Sequence, residues 1–150
     1  HGTDKSLLIN RSNNLKELIE SSDILSIHTP LTSETFEMVN NNFLRMMKPS
    51  SILINTARGA IFNLDHLYNA LLSNTITAVG TDVLPIEPPD IEHPLIKAWK
   101  DDLDWISGRL IITPHSAFYN EESFFEMRKK AAEEVKRVLE GSKPFNPVKI

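Results

Sequence analysis

Apolar residues in this chain fall into two alternating patterns. Short unbroken runs bounded by breakers read as strands: Ile24-Leu25-Ser26-Ile27-His28, Ile52-Leu53-Ile54, Ile76 through Val83, and Arg109-Leu110-Ile111-Ile112-Thr113. The run at 52–54 is too short for a helix and reads as a strand buried on both faces. Between the runs, apolar positions recur at helical spacing. Leu15, Leu18 and Ile19, after Asn13-Asn14 as caps, predict a helix over 14–21. Phe43, Leu44 and Met47 point inward from a helix over 41–47, and Leu64, Leu67, Leu71 and Leu72 from one over 64–72. A short helix is predicted from His93-Pro94 to Trp99, and a long one over 121–140. The long helix has Phe125, Ala132, Val135, Val138 and Leu139 as its buried side and Gly141 as its C-cap. Residues 31–39 read as a loop with a turn of helix around Thr35, and 84–93 as a proline-rich loop. Residues 100–108 form a charged insert whose Trp105 is expected to pack against some part of the fold. Strand–helix alternation of this kind is the pattern of a parallel sheet built from right-handed crossovers.

Ligands of such sheets sit at the carboxyl ends of the strands. Three of those ends carry chemically capable groups: Arg58, the Asp82 and Glu87 pair, and His115. Arg58 and Glu87 are 29 residues apart and Glu87 and His115 are 28, about one crossover each, so the three groups meet along one edge. A guanidinium suits a carboxylate or phosphate, which its planar fork grips with two hydrogen bonds. With a carboxylate and an imidazole beside it, the set forms an acid–base site. Each residue alone has a plainer reading. Arg58 could pair with a neighbouring acid, Glu87 could be a solvated loop charge, Asp82 a cap, and His115 a loop histidine. Only the joint pattern favours catalysis.

Composition narrows the class. The chain has 150 residues, enough for one ordinary domain. Its net charge of -4 argues against nucleic acid as the main partner. It has no cysteine, which excludes disulfides and thiolate metal sites and fits a cytoplasmic setting. No apolar run approaches the ~18 residues of a membrane span, so no membrane partner is expected. His28, His66 and His93 lack the spacing of a metal site on one helix, and no metal is expected.

Four segments carry a family resemblance. Asp23-Ile24-Leu25-Ser26-Ile27-His28-Thr29-Pro30-Leu31-Thr32-Ser33-Glu34-Thr35 is one, and Met47-Lys48-Pro49 through Asn55-Thr56-Ala57-Arg58-Gly59 is a second. Gly80-Thr81-Asp82-Val83 with Glu87-Pro88, and Thr113-Pro114-His115-Ser116-Ala117, complete the set. In order and spacing, from about 15 to 145, they resemble the D-isomer-specific 2-hydroxyacid dehydrogenases. Ser116 through Glu122 and Glu126-Met127-Arg128 resemble most the C-terminal binding protein branch, whose animal members are NAD(H)-binding corepressors. The resemblance implies an NAD-dependent oxidoreductase that interconverts a 2-keto acid and a D-2-hydroxy acid. An NAD(H)-sensing, protein-binding module without significant turnover is the alternative. Arg58 would hold the substrate carboxylate, His115 would be the general acid or base, and Glu87 would orient His115 and favour its protonated form. For the NAD cofactor, Asp82 would contact the nicotinamide end, with Thr56 and Ala57 beside it. Thr29, Pro30 and Thr35 would line the adenine and phosphate side, and Arg58, His115 and Ala117 complete the implied cofactor set. Expected partners are NAD(H), a small 2-keto or 2-hydroxy acid and, in the intact parent, a second copy in a homodimer.

The resemblance also marks what is not in the sequence. The five glycines are Gly2, Gly59, Gly80, Gly108 and Gly141, which leaves no G-x-G-x-x-G to place a pyrophosphate on a helix N-terminus. The expected fold is therefore α/β, a partial Rossmann-like, doubly wound parallel sheet with flanking helices and its first crossover missing. As a domain, the chain reads as the C-terminal portion of an NAD(P)-binding unit over about 15–141, with 142–150 an extended tail.

Overall fold

A computed structural model describes residues 11–147; the Leu7-Leu8-Ile9 stretch and the last three tail positions lie outside them. The elements follow in the order α1 (Leu15–Ser21), β1 (Ile24–Ile27), α2 (Asn41–Met46), β2 (Ile52–Asn55), α3 (Leu64–Leu72), β3 (Ala78–Thr81), α4 (Pro94–Lys100), β4 (Leu110–Ile112) and α5 (Glu121–Leu139). The chain divides into two units, 1–115 and 116–150.

The first unit is a four-stranded parallel sheet in the order β1-β2-β3-β4. Sequential order has a direct consequence. Right-handed crossovers that all step in one direction place every connecting helix on the same side of the sheet. Helices α1 to α4 accordingly pack in a row, each on the next, over one face. Leu25, Ile27, Leu53 and Val79 point into that layer with Ile19, Phe43, Leu44, Leu67, Leu71 and Leu95. The opposite face is not sealed. Ile24 and Ile111 are 62% and 61% exposed, and β2 alternates half-buried and buried instead of being buried on both faces as its apolar run suggests. An unbroken apolar run shows that a strand can be covered twice, but topology decides how many layers cover it.

Asparagine caps four of the five helices. Asn14, Asn40, Asn63 and Asn120 each accept a backbone N–H of the first turn, and the His93 ring does the same for α4. Strands β3 and β4 are shorter than the apolar runs that predict them; Ile76 is buried ahead of β3 without joining it. The backbone there is held instead by Arg109, whose guanidinium donates to the carbonyls of Ile76, Thr77 and Trp105. Trp105 packs edge-on against Tyr68 on α3, at 5.7 Å between centroids. The segment around Thr35 forms hydrogen-bonded turns, with the Phe36 N–H on the Thr32 carbonyl. Leu72 is exposed, not inward as expected; the buried stripe of α3 is Leu67, Ala70 and Leu71, and Leu72 lies one step beyond it around the helix.

The second unit centres on α5, which ends in a Schellman motif. Gly141 adopts a φ of 79°, its N–H bonds the Val138 carbonyl, and the Ser142 N–H bonds that of Arg137. Its expected buried side is not buried: Phe125, Ala132, Val135, Val138 and Leu139 are all exposed. Among the described residues of its own unit, nothing covers that stripe of this single amphipathic helix.

Candidate active site

Three strand ends and the loops after them build the site. Strand β2 ends on Asn55, which is fully buried. Its Oδ1 accepts the Ala57 N–H at 2.9 Å and its Nδ2 donates to the Arg58 carbonyl at 3.0 Å. Strand β3 ends on Thr81, followed by Asp82, and both are buried. The Asp82 N–H bonds the Asn55 carbonyl at 2.9 Å, and the Asp82 carboxylate accepts the Thr113 hydroxyl. The Thr113 N–H in turn bonds the Thr81 carbonyl at 3.0 Å. Beyond the ladder, the ends of β2, β3 and β4 are therefore stitched together by the buried Asn55, Thr81 and Asp82 and the exposed Thr113.

Gly59 sets the next distance. A side chain there would overlap the carbonyl group of Leu84 and the nitrogen of Pro85. Its absence lets the turn after β2 and the loop after β3 touch, backbone to backbone. That closeness forms a cleft of about 230 Å3 lined by Leu31, Arg58, Gly59, Ala60, Val83, Leu84, Pro85, Glu87 and His115. Arg58, Glu87 and His115 thus converge on one opening.

Within it, His115 Nδ1 lies 2.7 Å from Glu87 Oε2, and Glu87 Oε1 accepts the Leu84 N–H at 2.8 Å. The His115 hydrogen bond, then the Leu84 N–H, hold the Glu87 carboxyl below its ordinary value, against a smaller opposing effect of burial. A group lowered in this way stabilises the fold above the ordinary carboxylate range and loses that contribution as pH falls through the lowered value. At neutral pH Glu87 is ionised and can only accept, so the proton between the pair sits on Nδ1. Nε2 is then the ring's other proton-carrying position. The ring is presented from a left-handed backbone, φ 52°, closed by a bond from the His115 N–H to the Thr113 carbonyl across Pro114. For a non-glycine residue that conformation is held only where its surroundings enforce it.

The Arg58 guanidinium donates to the neighbouring Ala57 carbonyl at 2.6 Å. Among the described residues, no carboxylate forms an ion pair with it. Its remaining N–H groups are available to a ligand, which removes the plainer reading of Arg58 as half of a structural ion pair. A second cleft, about 490 Å3, runs from Arg58 along Ala57, Thr56, Leu31, Pro30, Thr29 and His28. Thr35 is not in its lining; its hydroxyl donates to the Pro30 carbonyl and accepts the Thr32 N–H, so it shapes the loop that is. Ala117 falls in the second unit. No group of three or more candidate metal ligands occurs among the described residues.

Sequence reasoning passed over Asn55, Thr81 and Gly59. A polar amide closing a buried apolar run was the available signal for Asn55. Nothing in one sequence distinguishes a glycine needed for contact, such as Gly59, from one with open space around it, such as Gly80.

Comparison with known proteins places the chain in a family. Residues 2–117 match the family model for the D-isomer specific 2-hydroxyacid dehydrogenase, NAD binding domain. A glyoxylate reductase of Aeropyrum pernix is 38% identical over 134 residues, which is 89% of this chain and 37% of the relative. An NAD-complexed D-isomer specific 2-hydroxyacid dehydrogenase from Lactobacillus delbrueckii ssp. bulgaricus superposes with a TM-score of 0.71 at 31% identity, over 90% of this chain and 42% of that one. A D-lactate dehydrogenase with NAD+ from Lactobacillus jensenii gives 0.73 at 28% identity, over 91% and 42%. The chain spans less than half the length of each of these. With its family model matched over more than two thirds of the sequence and its sheet superposing on such enzymes, the chain belongs to the D-isomer specific 2-hydroxyacid dehydrogenase family and corresponds to its NAD binding domain.

Proposed function

We propose that the intact protein transfers hydride between NAD(H) and a small 2-keto or D-2-hydroxy acid, and that this chain supplies its acid–base machinery. The observation that carries the reading is the Glu87–His115 pair, 2.7 Å apart and opening on the same cleft as Arg58. Arg58 grips the substrate carboxylate with its free N–H groups. His115 Nε2 protonates the carbonyl oxygen as hydride arrives in reduction, and takes the hydroxyl proton in oxidation. Glu87 holds the ring through Nδ1 and balances the charge when both nitrogens are protonated. NAD(H) supplies the hydride when bound. The residues along the second cleft, Thr29, Pro30, Thr56 and Ala57, suit its extended shape, with Asp82 behind the nicotinamide end and Thr35 acting through the Pro30 loop. The reading extends to a cytoplasmic homodimer, checked by fractionation and by light scattering of the intact protein.

Glu87→Gln in the full-length parent tests the pair. The ionised carboxylate can only accept, so it fixes the proton on Nδ1, whereas a glutamine amide can also donate there and leave the ring in the other tautomer. With the tautomer no longer fixed, the variant should lose ~10-fold or more in reductive turnover while NADH affinity changes by less than about 3-fold. Turnover within about 2-fold of wild type would remove Glu87 from the proton path. Arg58→Lys should raise the keto-acid KM by ~10-fold or more with a smaller change in NADH affinity, because an ammonium cannot copy a two-pronged contact. Steady-state kinetics with NADH and a panel of 2-keto acids reads both; no turnover of any keto acid by the wild type would overturn the proposal.

A second reading follows the likeness of Ser116 through Glu122 to the corepressor branch: an NAD(H)-responsive module that binds a protein partner. A pure sensor has no use for Arg58, Glu87 and His115 together, and their convergence favours the enzyme. Tight NADH binding without turnover, together with capture of a peptide partner, would reverse that preference.

A further inference from the structure

We propose that Asn55 is the positioning residue that sets Arg58 against the Glu87–His115 pair. Asn55 closes β2 with none of its surface exposed. A buried amide is costly unless both its ends are bonded, and an apolar side chain would fill the same place at the end of Ile52-Leu53-Ile54 without that cost. Both ends are bonded, and both to the turn that delivers Arg58. Oδ1 takes the Ala57 N–H at 2.9 Å, and Nδ2 reaches the Arg58 carbonyl at 3.0 Å. The amide clasps the turn from inside, in the manner of an Asx-turn closed on both sides.

The main chain of Asn55 ties the same turn to the next strand. Its carbonyl accepts the Asp82 N–H at 2.9 Å and lies 3.4 Å from the Thr81 hydroxyl, which donates to the Val83 carbonyl at 2.7 Å. One residue therefore connects the base of Arg58 to the chain that continues, five residues on, to Glu87. From the other side, Gly59 rests against Leu84 and Pro85. Held between these contacts, the Arg58 backbone has one direction into the cleft. Without the amide, the half-buried Ala57 N–H loses its partner and the Arg58 carbonyl keeps only the Ile61 N–H at 3.3 Å, so the turn is free to open toward water. The guanidinium then moves relative to His115, although every group that touches substrate is still present.

This assignment rests on Arg58 as the carboxylate anchor, and its test uses the full-length parent. Asn55→Ala removes both bonds. Asn55→Asp conserves volume and keeps the acceptor for Ala57, but when ionised it cannot donate to the Arg58 carbonyl. Amide exchange of the peptide over 56–59, read without substrate, should accelerate ~10-fold or more in either variant. The keto-acid KM should rise ~10-fold while kcat and NADH affinity change by less than ~3-fold, the split expected when a ground-state anchor is misplaced. Relative to wild type, Asn55→Asp should recover keto-acid affinity as pH falls, because its protonated carboxyl can donate again. A purely structural role would not produce that recovery. If Asn55→Ala does not fold, Asn55→Asp carries the test. Unchanged exchange over 56–59 overturns the assignment, as does a parallel loss of KM, kcat, NADH affinity and melting temperature. A wild type that turns over no 2-keto acid overturns the proposed function instead, and the exchange rates still decide whether Asn55 holds the turn.

Discussion

His115→Asn in the full-length parent should lower keto-acid turnover by ~10²–10⁴-fold at every pH, the range that a positioned general acid contributes, and leave NADH affinity within about 3-fold. Asparagine can still donate to Glu87 from about the position of Nδ1, so the loop keeps its tie at 2.7 Å from that carboxylate. What disappears is Nε2, the only atom of the ring with a proton to exchange while Nδ1 is committed to Glu87. The strained backbone adds a control. Asparagine tolerates the left-handed region better than most residues, so the φ of 52° does not by itself destabilise this variant. A valine there would confuse loss of chemistry with loss of the loop. Turnover within tenfold of wild type for His115→Asn would mean that the proton comes from elsewhere.

Among the described glycines, Gly59→Ala should be the most damaging added methyl, costing about 3 kcal/mol or more and abolishing turnover. The added carbon meets backbone, the Leu84 carbonyl and the Pro85 nitrogen, not the end of a flexible side chain. Relief requires that the turn after β2 and the loop after β3 separate, and that separation draws Arg58 away from Glu87 and His115. Stability and catalysis should therefore fall together. Gly80→Ala is the matched comparison: it lies in β3 with open space around it, and should change stability by less than about 1 kcal/mol. Thermal melts of both variants beside their keto-acid kinetics read the contrast. Equal effects would show that the close approach at Gly59 is not needed.

Local chemistry made most of the elements and the candidate trio legible. Asn14 marks a helix start because its side chain replaces a missing carbonyl, a property of the residue rather than of the fold; Asn40, Asn63 and Asn120 do the same in the structure. Arg58, Glu87 and His115 stood out because each follows a strand by a few residues, and parallel strands bring their carboxyl ends to one edge. Tertiary structure decided the rest. The same apolar face that predicts a buried side for α5 lies exposed, because amphipathicity states what a helix can bury and not whether a partner is there. Ile24, Ile52 and Ile111 read as core, yet a sheet wound in one direction receives its helices on one face, leaving these three half-buried or exposed on the other. Likewise Asn55 and Gly59 look like ordinary members of a strand end and a turn. Their work depends on Arg58, Asp82 and Leu84 arriving within hydrogen-bond or contact distance, which no local propensity encodes and only the folded sheet supplies.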